Sequence, residues 1–303
     1  MCKNWLKIVN IGVPQGTILG PLLFLLFIND LPRVTTLCHT VLYADDTNFT
    51  MQHTDINVLN RNFNHMLQKF YNWSISNPLS INFSKTYCML ITKRKVTTDQ
   101  FQIFLNQHRV SFVSELKYLG VVLDKNLNFG SHTKMITEKI SKSTGIMYRL
   151  KPLIPSSCLR SLYFSLVQSY LQYCVPIWGG TFLCYTNSVV LIQKRAIRLI
   201  SNAAYLDHTT PLFYSNRILK LLDLYNFSIS TLVHNGKIKL NHRTHLYFTR
   251  FRYDLLPSYN RLTLTQHSIH FTAICFWNNL PDSIKNCHSS TSFRNILRNY
   301  LLS

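Results

Sequence analysis

The segment Thr40-Val41-Leu42-Tyr43-Ala44-Asp45-Asp46-Thr47-Asn48-Phe49-Thr50 places two adjacent carboxylates between two β-prone runs. That pattern predicts a hairpin with Asp45 and Asp46 at its tip. Two carboxylates side by side on a tight turn repel each other. A divalent cation relieves the conflict, because hard oxygen ligands suit Mg²⁺, which binds through one or two carboxylates together with substrate phosphates. A second such ion can flank an in-line displacement at phosphorus. The alternative is an Asx-type turn with two solvated aspartates, and the dipeptide taken alone favours it.

The elements around the pair follow from periodicity. Residues 18–30 predict a buried helix, and the apolar run Ile18 to Ile28, interrupted by Gly20 and Pro21, is too short for a bilayer and reads as a core element. After the hairpin, Thr54 as N-cap and apolar Ile56, Leu59, Phe63, Met66, Leu67 and Phe70 predict an amphipathic helix that Asn77-Pro78 stops. Strands are expected at 87–91, 101–105, 110–113 and 118–123, with a turn at Asn106-Gln107-His108. From Ser131 the pattern turns helical, at 131–150, 156–174 and 187–200, with a second joint at Asp207 to Pro211. An amphipathic segment carrying Phe293, Ile296, Leu297, Tyr300 and Leu301 ends the chain. The expected class is α+β, divided as 1–124, a helical region 125–206 and a helical extension 207–303.

The composition, 47% hydrophobic and 15% charged, excludes a disordered chain. Lys and Arg number 32 against 12 Asp and Glu, a formal charge of +20, which points to a polyanion partner. Between Lys139 and Leu206 there is no acid, while Lys142, Arg149, Lys194, Arg195 and Arg198 fall in the same stretch. Such a run suits a phosphate backbone, the alternative being a solvated basic surface. The cysteines form no C-x-x-C pair and read as buried free thiols of a reducing compartment. His267, His270, Cys275, Cys287 and His288 match no usual zinc spacing, so no metal is expected there. With no secretory leader pattern at the N-terminus, the chain reads as intracellular, not secreted and not membrane-bound.

Several motifs in order then resemble the reverse transcriptases of non-LTR retrotransposons, the jockey-like lineage above all. Gly12-Val13-Pro14-Gln15-Gly16-Thr17-Ile18-Leu19-Gly20-Pro21-Leu22-Leu23-Phe24 is similar to the family's template- and nucleotide-positioning motif, continued by Ile28-Asn29-Asp30-Leu31-Pro32. Tyr43-Ala44-Asp45-Asp46-Thr47 resembles its catalytic turn, Leu79-x-x-Asn82-x-x-Lys85-Thr86 the next motif, and Tyr118-Leu119-Gly120-Val121-Val122-Leu123-Asp124 the primer-grip strand. The resemblance implies a partial polymerase palm followed by a thumb-like helical region. It implies RNA-directed DNA polymerase activity with two Mg²⁺ ions, an RNA template, a DNA primer and deoxynucleoside triphosphates, in the nucleus or a cytoplasmic ribonucleoprotein. It makes Asp45 and Asp46 catalytic metal ligands, Tyr43 a neighbour of the primer end, and Leu119 and Gly120 the primer grip. Gln15 and Gly16 lie against template and nucleotide by the same resemblance, glycine allowing the backbone to approach a base pair. Lys85 is either a charge placed on the leaving pyrophosphate or an ordinary surface lysine. Gln168-x-x-Leu171-x-Tyr173-Cys174-x-x-Ile177-Trp178-Gly179-Gly180, Gln193-Lys194-Arg195-Ala196-Ile197-Arg198 and Phe276-Trp277-Asn278-x-Leu280-Pro281 also resemble the tail of jockey-like polyproteins, without a chemistry of their own.

The sequence departs from the family at one point. The family's polymerase has a further aspartate on a strand before the Gly-Val-Pro-Gln-Gly motif, whereas here no acid occurs before Asp30. The expectation is a C-terminal fragment, inactive alone, with a non-catalytic nucleic-acid-binding remnant as the alternative.

Overall fold

The structure is a computed structural model that describes residues 16–94, 96, 101–238, 255–256 and 262–303. The chain forms two compact units, Met1–Ser114 and Glu115–Ser303.

The first unit mixes helix and strand. Helix α1 (Leu19–Ile28) is apolar all round, yet Ile28 is its one fully buried residue; Leu22, Leu25 and Leu26 are 54%, 61% and 66% exposed. The expected buried helix is therefore corrected: the helix forms, but the described part of the unit covers it along one line alone. Strands β1 (His39–Tyr43) and β2 (Asp46–Thr50) form the expected hairpin, an antiparallel pair running from His39↔Thr50 to Tyr43↔Asp46. Helix α2 (Ile56–Ser76) follows. Its N-cap is Asp55 rather than Thr54, because the Asp55 carboxylate accepts from Asn57 N (2.7 Å) and Val58 N (3.4 Å), satisfying amides that the first helical turn leaves open.

Among the described residues, four short strands follow in the unit: β3 (Tyr87–Cys88), β4 (Phe104–Leu105), β5 (His108–Arg109) and β6 (Ser111–Phe112). β3 pairs with β6 in parallel, and β4 with β5 around Asn106-Gln107, Asn106 taking a φ of +57°. The core forms where Met66, Leu67 and Phe70 of α2 meet Phe101, Ile103 and Leu105. Asn64 pins the helix to the strand, its amide donating to Gln102 O (2.9 Å) and its oxygen accepting from Phe104 N (2.8 Å). Phe49 of the hairpin packs edge-on against Phe70, ring centroids 5.0 Å apart, so β2 rests on α2.

The second unit opens with a hairpin, β7 (Glu115–Tyr118) and β8 (Val121–Asp124). The segment 118–123 is thus a turn between two strands rather than one strand. The turn residues Leu119 and Gly120 both have positive φ, +44° and +84°, as a two-residue hairpin turn demands. Because this hairpin counts with the helices, the units divide ten residues earlier than the expected 124/125 boundary. Helix α3 (Gly130–Leu150), with Phe129 as N-cap, follows a loop organised by buried Asp124, whose carboxylate accepts from Asn126 N, Asn128 N and Phe129 N.

The expected helix 156–174 is α4 (Ser156–Tyr163), a π-turn at Phe164–Gln168 and α5 (Ser169–Gln172); at Tyr173 the backbone turns extended and Cys174 is left-handed (φ +50°). Helix α6 (Val175–Trp178) is a single turn. Helix α7 (Leu183–Ile200) begins four residues before the expected Asn187 and packs along α3. Their buried faces, Ile136, Ile140 and Met147 against Val189, Ala196 and Ile197, form the main core. After α8 (Thr210–Ser215) and α9 (Leu221–His234), the described C-terminal elements are α10 (Thr263–Gln266), α11 (Ile269–Asn278), α12 (Asp282–Lys285) and α13 (Ser290–Leu302). Of the amphipathic segment, Phe293 and Leu297 of α13 are buried with Leu280 and Ile284, while Ile296 and Tyr300 are exposed.

Candidate active site

The β1–β2 hairpin closes through Tyr43↔Asp46, which leaves Ala44 and Asp45 as the two turn residues, with Ala44 at a φ of +49°. A left-handed alanine is disfavoured, so the paired strands and the Phe49–Phe70 contact hold the tip in place. Asp45 and Asp46 are both exposed, and Tyr43, 64% exposed, stands at the end of the same strand. The structure therefore brings Tyr43, Asp45 and Asp46 together at one projecting end. Two neighbouring carboxylates open to solvent are the donor set Mg²⁺ accepts when phosphates supply further oxygens. Among the described residues no group of three His, Cys, Asp or Glu residues makes a cage by itself.

The other predicted residues stand elsewhere on the chain. Gly16 is exposed with a φ of +88° and open space where a Cβ would project, so backbone conformation rather than crowding calls for glycine here. Gln15 lies outside the described residues. Lys85 is exposed at the end of a 3₁₀ turn, Phe83–Lys85, that Asn82 organises: its carbonyl accepts from Thr86 Oγ1 (2.9 Å) and its side-chain oxygen from Ser84 Oγ (2.7 Å). The Asn82, Lys85 and Thr86 spacing thus has a local structural reason beside any chemistry. Asp30, the first acid in the sequence, accepts from Trp73 Nε1 (3.1 Å), tying the end of α1 to α2.

Leu119, Gly120, Lys194, Arg195 and Arg198 belong to the second unit. Lys194 and Arg198 are half-buried and Arg195 exposed on α7. Arg198 Nε donates to Asp207 O (3.0 Å) while its guanidinium lies 6.0 Å from the Tyr205 ring centroid. On α3, Lys139 reaches over Tyr170 at 5.3 Å. Two of these cations, Arg198 and Lys139, thus lie over aromatic faces.

Residues whose roles the sequence hides are mostly buried. Gln193 is wholly enclosed; its amide nitrogen donates to Tyr163 Oη (3.1 Å) and Leu219 O (3.0 Å), and its oxygen accepts from Leu221 N (3.0 Å). This joins three helical segments through one polar side chain. Gly179 and Gly180 let Tyr225 pack against the chain, since a Cβ at Gly179 would lie 3.0 Å from Tyr225 Cδ2 and one at Gly180 would meet the Tyr225 hydroxyl. Asn278 bonds both backbone groups of Leu255, at 3.0 Å each. The jockey-like tail motifs thus contain packing residues whose partners are far away in sequence.

The cysteines depart from expectation. Cys158, Cys184 and Cys275 are exposed and Cys38, Cys88, Cys174 and Cys287 half-buried, all as free thiols; Cys2 lies outside the described residues. Burial pushes the Cys88 thiol up to about 11, leaving it protonated and unreactive at neutral pH. Among the described residues no helix is long and apolar enough to cross a membrane.

Comparison with known proteins agrees with the motifs. Residues 6–123 match the family described as reverse transcriptase (RNA-dependent DNA polymerase). The chain is 27% identical over 233 residues to the RNA-directed DNA polymerase from mobile element jockey of Drosophila funebris, covering 73% of this chain and 25% of that protein. It is 28% identical over 217 residues, 68% of this chain and 24% of the relative, to the probable RNA-directed DNA polymerase from transposon BS of Drosophila melanogaster. A retrovirus-related Pol polyprotein from the type-1 retrotransposable element R1 of Bradysia coprophila is 26% identical over 205 residues, 65% of this chain and 20% of that one. The chain thus spans about a quarter of the length of the curated relatives it matches. No solved structure matches it. Residues 6–123, with the Tyr43-Ala44-Asp45-Asp46 hairpin among them, are thus similar to reverse transcriptases, and the relatives that the chain resembles are RNA-directed DNA polymerases of mobile elements.

Proposed function

We propose that this chain is part of an RNA-directed DNA polymerase of a mobile element, extending a DNA primer on an RNA template with deoxynucleoside triphosphates. The observation that carries the reading is the pair Asp45 and Asp46 at the exposed end of a two-stranded hairpin, inside the segment that matches the reverse transcriptase family. In this reading residues 1–124 serve as a partial palm, 125–206 as a thumb-like region and 207–303 as an extension. Asp45 and Asp46 would hold Mg²⁺, which would supply positive charge to the phosphates of the incoming nucleotide. Tyr43, beside the pair on the same hairpin, borders the primer end. Gln15 and Gly16 lie against template and nucleotide, Lys85 offers positive charge to the pyrophosphate, and Leu119 and Gly120 touch the primer. The setting is a nuclear or cytoplasmic ribonucleoprotein.

Primer extension on an RNA template tests this. It is measured with the 303-residue chain and with the same chain fused behind the preceding polymerase segment of the jockey element. Mg²⁺-dependent extension by the fusion, lost on Asp45→Asn, is the expected result, with little or none from the 303 residues alone because they supply two of the family's carboxylates. The second reading, a nucleic-acid-binding remnant without chemistry, is favoured by the formal +20 and by the acid-free stretch from Lys139 to Leu206. It predicts binding without extension even in the fusion.

A further inference from the structure

Within the motif Gln168-x-x-Leu171-x-Tyr173-Cys174-x-x-Ile177-Trp178, Tyr173 reaches the β7–β8 turn. The Tyr173 hydroxyl donates to Leu119 O at 2.6 Å, and the same ring lies against Gly120, where a Cβ would come within 3.1 Å of Cε1. Leu119 is a left-handed non-glycine residue, a conformation that persists when its surroundings fix it, and the bond to its carbonyl does so. On the next strand, Val122 N donates to Nδ1 of His132, a ring buried to 2% exposure on α3. Trp178, fully buried, joins the two supports: its Nε1 donates to Tyr173 O at 2.9 Å and its ring packs edge-on against His132 at 5.5 Å. The left-handed Cys174 makes this possible by turning the chain so that α6 carries Trp178 back beneath Tyr173.

We propose that Tyr173 is a positioning residue for the primer end, its hydroxyl and ring fixing the Leu119-Gly120 turn with Trp178 and His132 as its backing. The inference rests on the reading of Leu119 and Gly120 as primer contacts. Burial holds the His132 imidazole well below its ordinary range, so at neutral pH Nδ1 stays free to accept the Val122 amide. The hairpin is thereby held at its turn by a phenol and on β8 by an imidazole. A primer terminus meeting it would encounter a preset backbone rather than a mobile loop.

The test compares the full chain with Tyr173→Phe, which keeps the ring and removes the hydroxyl. Amide exchange is followed through 117–123, α3 and α7. Binding is measured by anisotropy to an RNA–DNA hybrid with a recessed primer 3′ end and to a blunt hybrid of equal length. The expected result is a wild-type preference for the recessed end. In the variant, exchange at the turn rises roughly tenfold with α3 and α7 unchanged, the preference falls roughly fivefold, and blunt-hybrid affinity holds. If the wild-type chain prefers the recessed end and the variant keeps that preference, the proposal is overturned while the primer-contact reading stands. Equal wild-type binding to both hybrids removes that reading and the proposal with it. Uniformly faster exchange across α3 and α7 assigns Tyr173 to general stability and also overturns it.

Discussion

His132 shows how far a side chain's role can depend on residues distant from it. It is enclosed between the β7–β8 hairpin and Trp178, and burial, with a smaller contribution from the Lys139 ammonium, lowers its pKa from the ordinary 6.5 to about 4. In the unfolded chain the imidazole takes up a proton as pH falls below about 6.5, whereas in the folded chain it does so near 4, so acid favours unfolding. The stability that neutral His132 contributes is complete above pH 6.5, declines between 6.5 and 4, and is gone below that. The loss is on the order of 3 kcal/mol by linkage. Urea unfolding at pH 7.5 and pH 4.5 should show this gap in the wild-type chain and a smaller one in His132→Gln; equal gaps would mean that other groups govern the acid limb. At this scale the sequence discloses Asp45 and Asp46 because their motif is local. His132, Tyr173 and Gln193 stay hidden, because their partners Val122, Leu119 and Leu221 come from other elements.

Elements were legible where periodicity and end signals agree. α2 shows it, with its apolar stripe and the Asn77-Pro78 stop, and so does the hairpin that closes at Tyr43↔Asp46. Pattern and structure differ where two residues reverse the chain: Leu119-Gly120 divides an apparent strand, and Tyr173-Cys174 ends a helix whose apolar spacing continues. Helix α1 errs in another way, since a segment apolar on every side carries no information about which side is covered. Its exposed leucines leave an apolar surface on the first unit, of the kind that favours self-association. Replacing Leu25 by Lys and Leu26 by Glu should leave the unfolding midpoint nearly unchanged, within about 0.5 kcal/mol as for surface positions. The same change should reduce self-association seen by light scattering. A large drop in stability would show that these side chains are packed in solution.

At the scale of the whole molecule, net charge sets the expectation more firmly than any single contact. A formal +20 gives long-range attraction to a polyanion, and the acid-free stretch from Lys139 to Leu206 spans α3 to α7, the helices whose packed faces form the main core. With those apolar faces turned inward, Lys194, Arg195 and Arg198 stay at or near the surface, while Ala196 and Ile197 between them are fully buried. Charge reversal at the three positions therefore changes the surface field without opening the core, provided that Arg198 is also tested alone, because its bond to Asp207 O and its contact with Tyr205 are lost with it. The triple variant Lys194→Glu, Arg195→Glu, Arg198→Glu should bind an RNA–DNA hybrid more weakly at low salt. Each phosphate contact contributes a slope of about −0.9 to log affinity against log salt on duplex B-DNA, so a loss of up to about three contacts flattens the plot by up to about 3 units. Because phosphate contacts carry no base information, the weakening should be the same for unrelated sequences. An unchanged slope in the triple variant would place these cations outside the interface, leaving the remaining basic residues to account for binding.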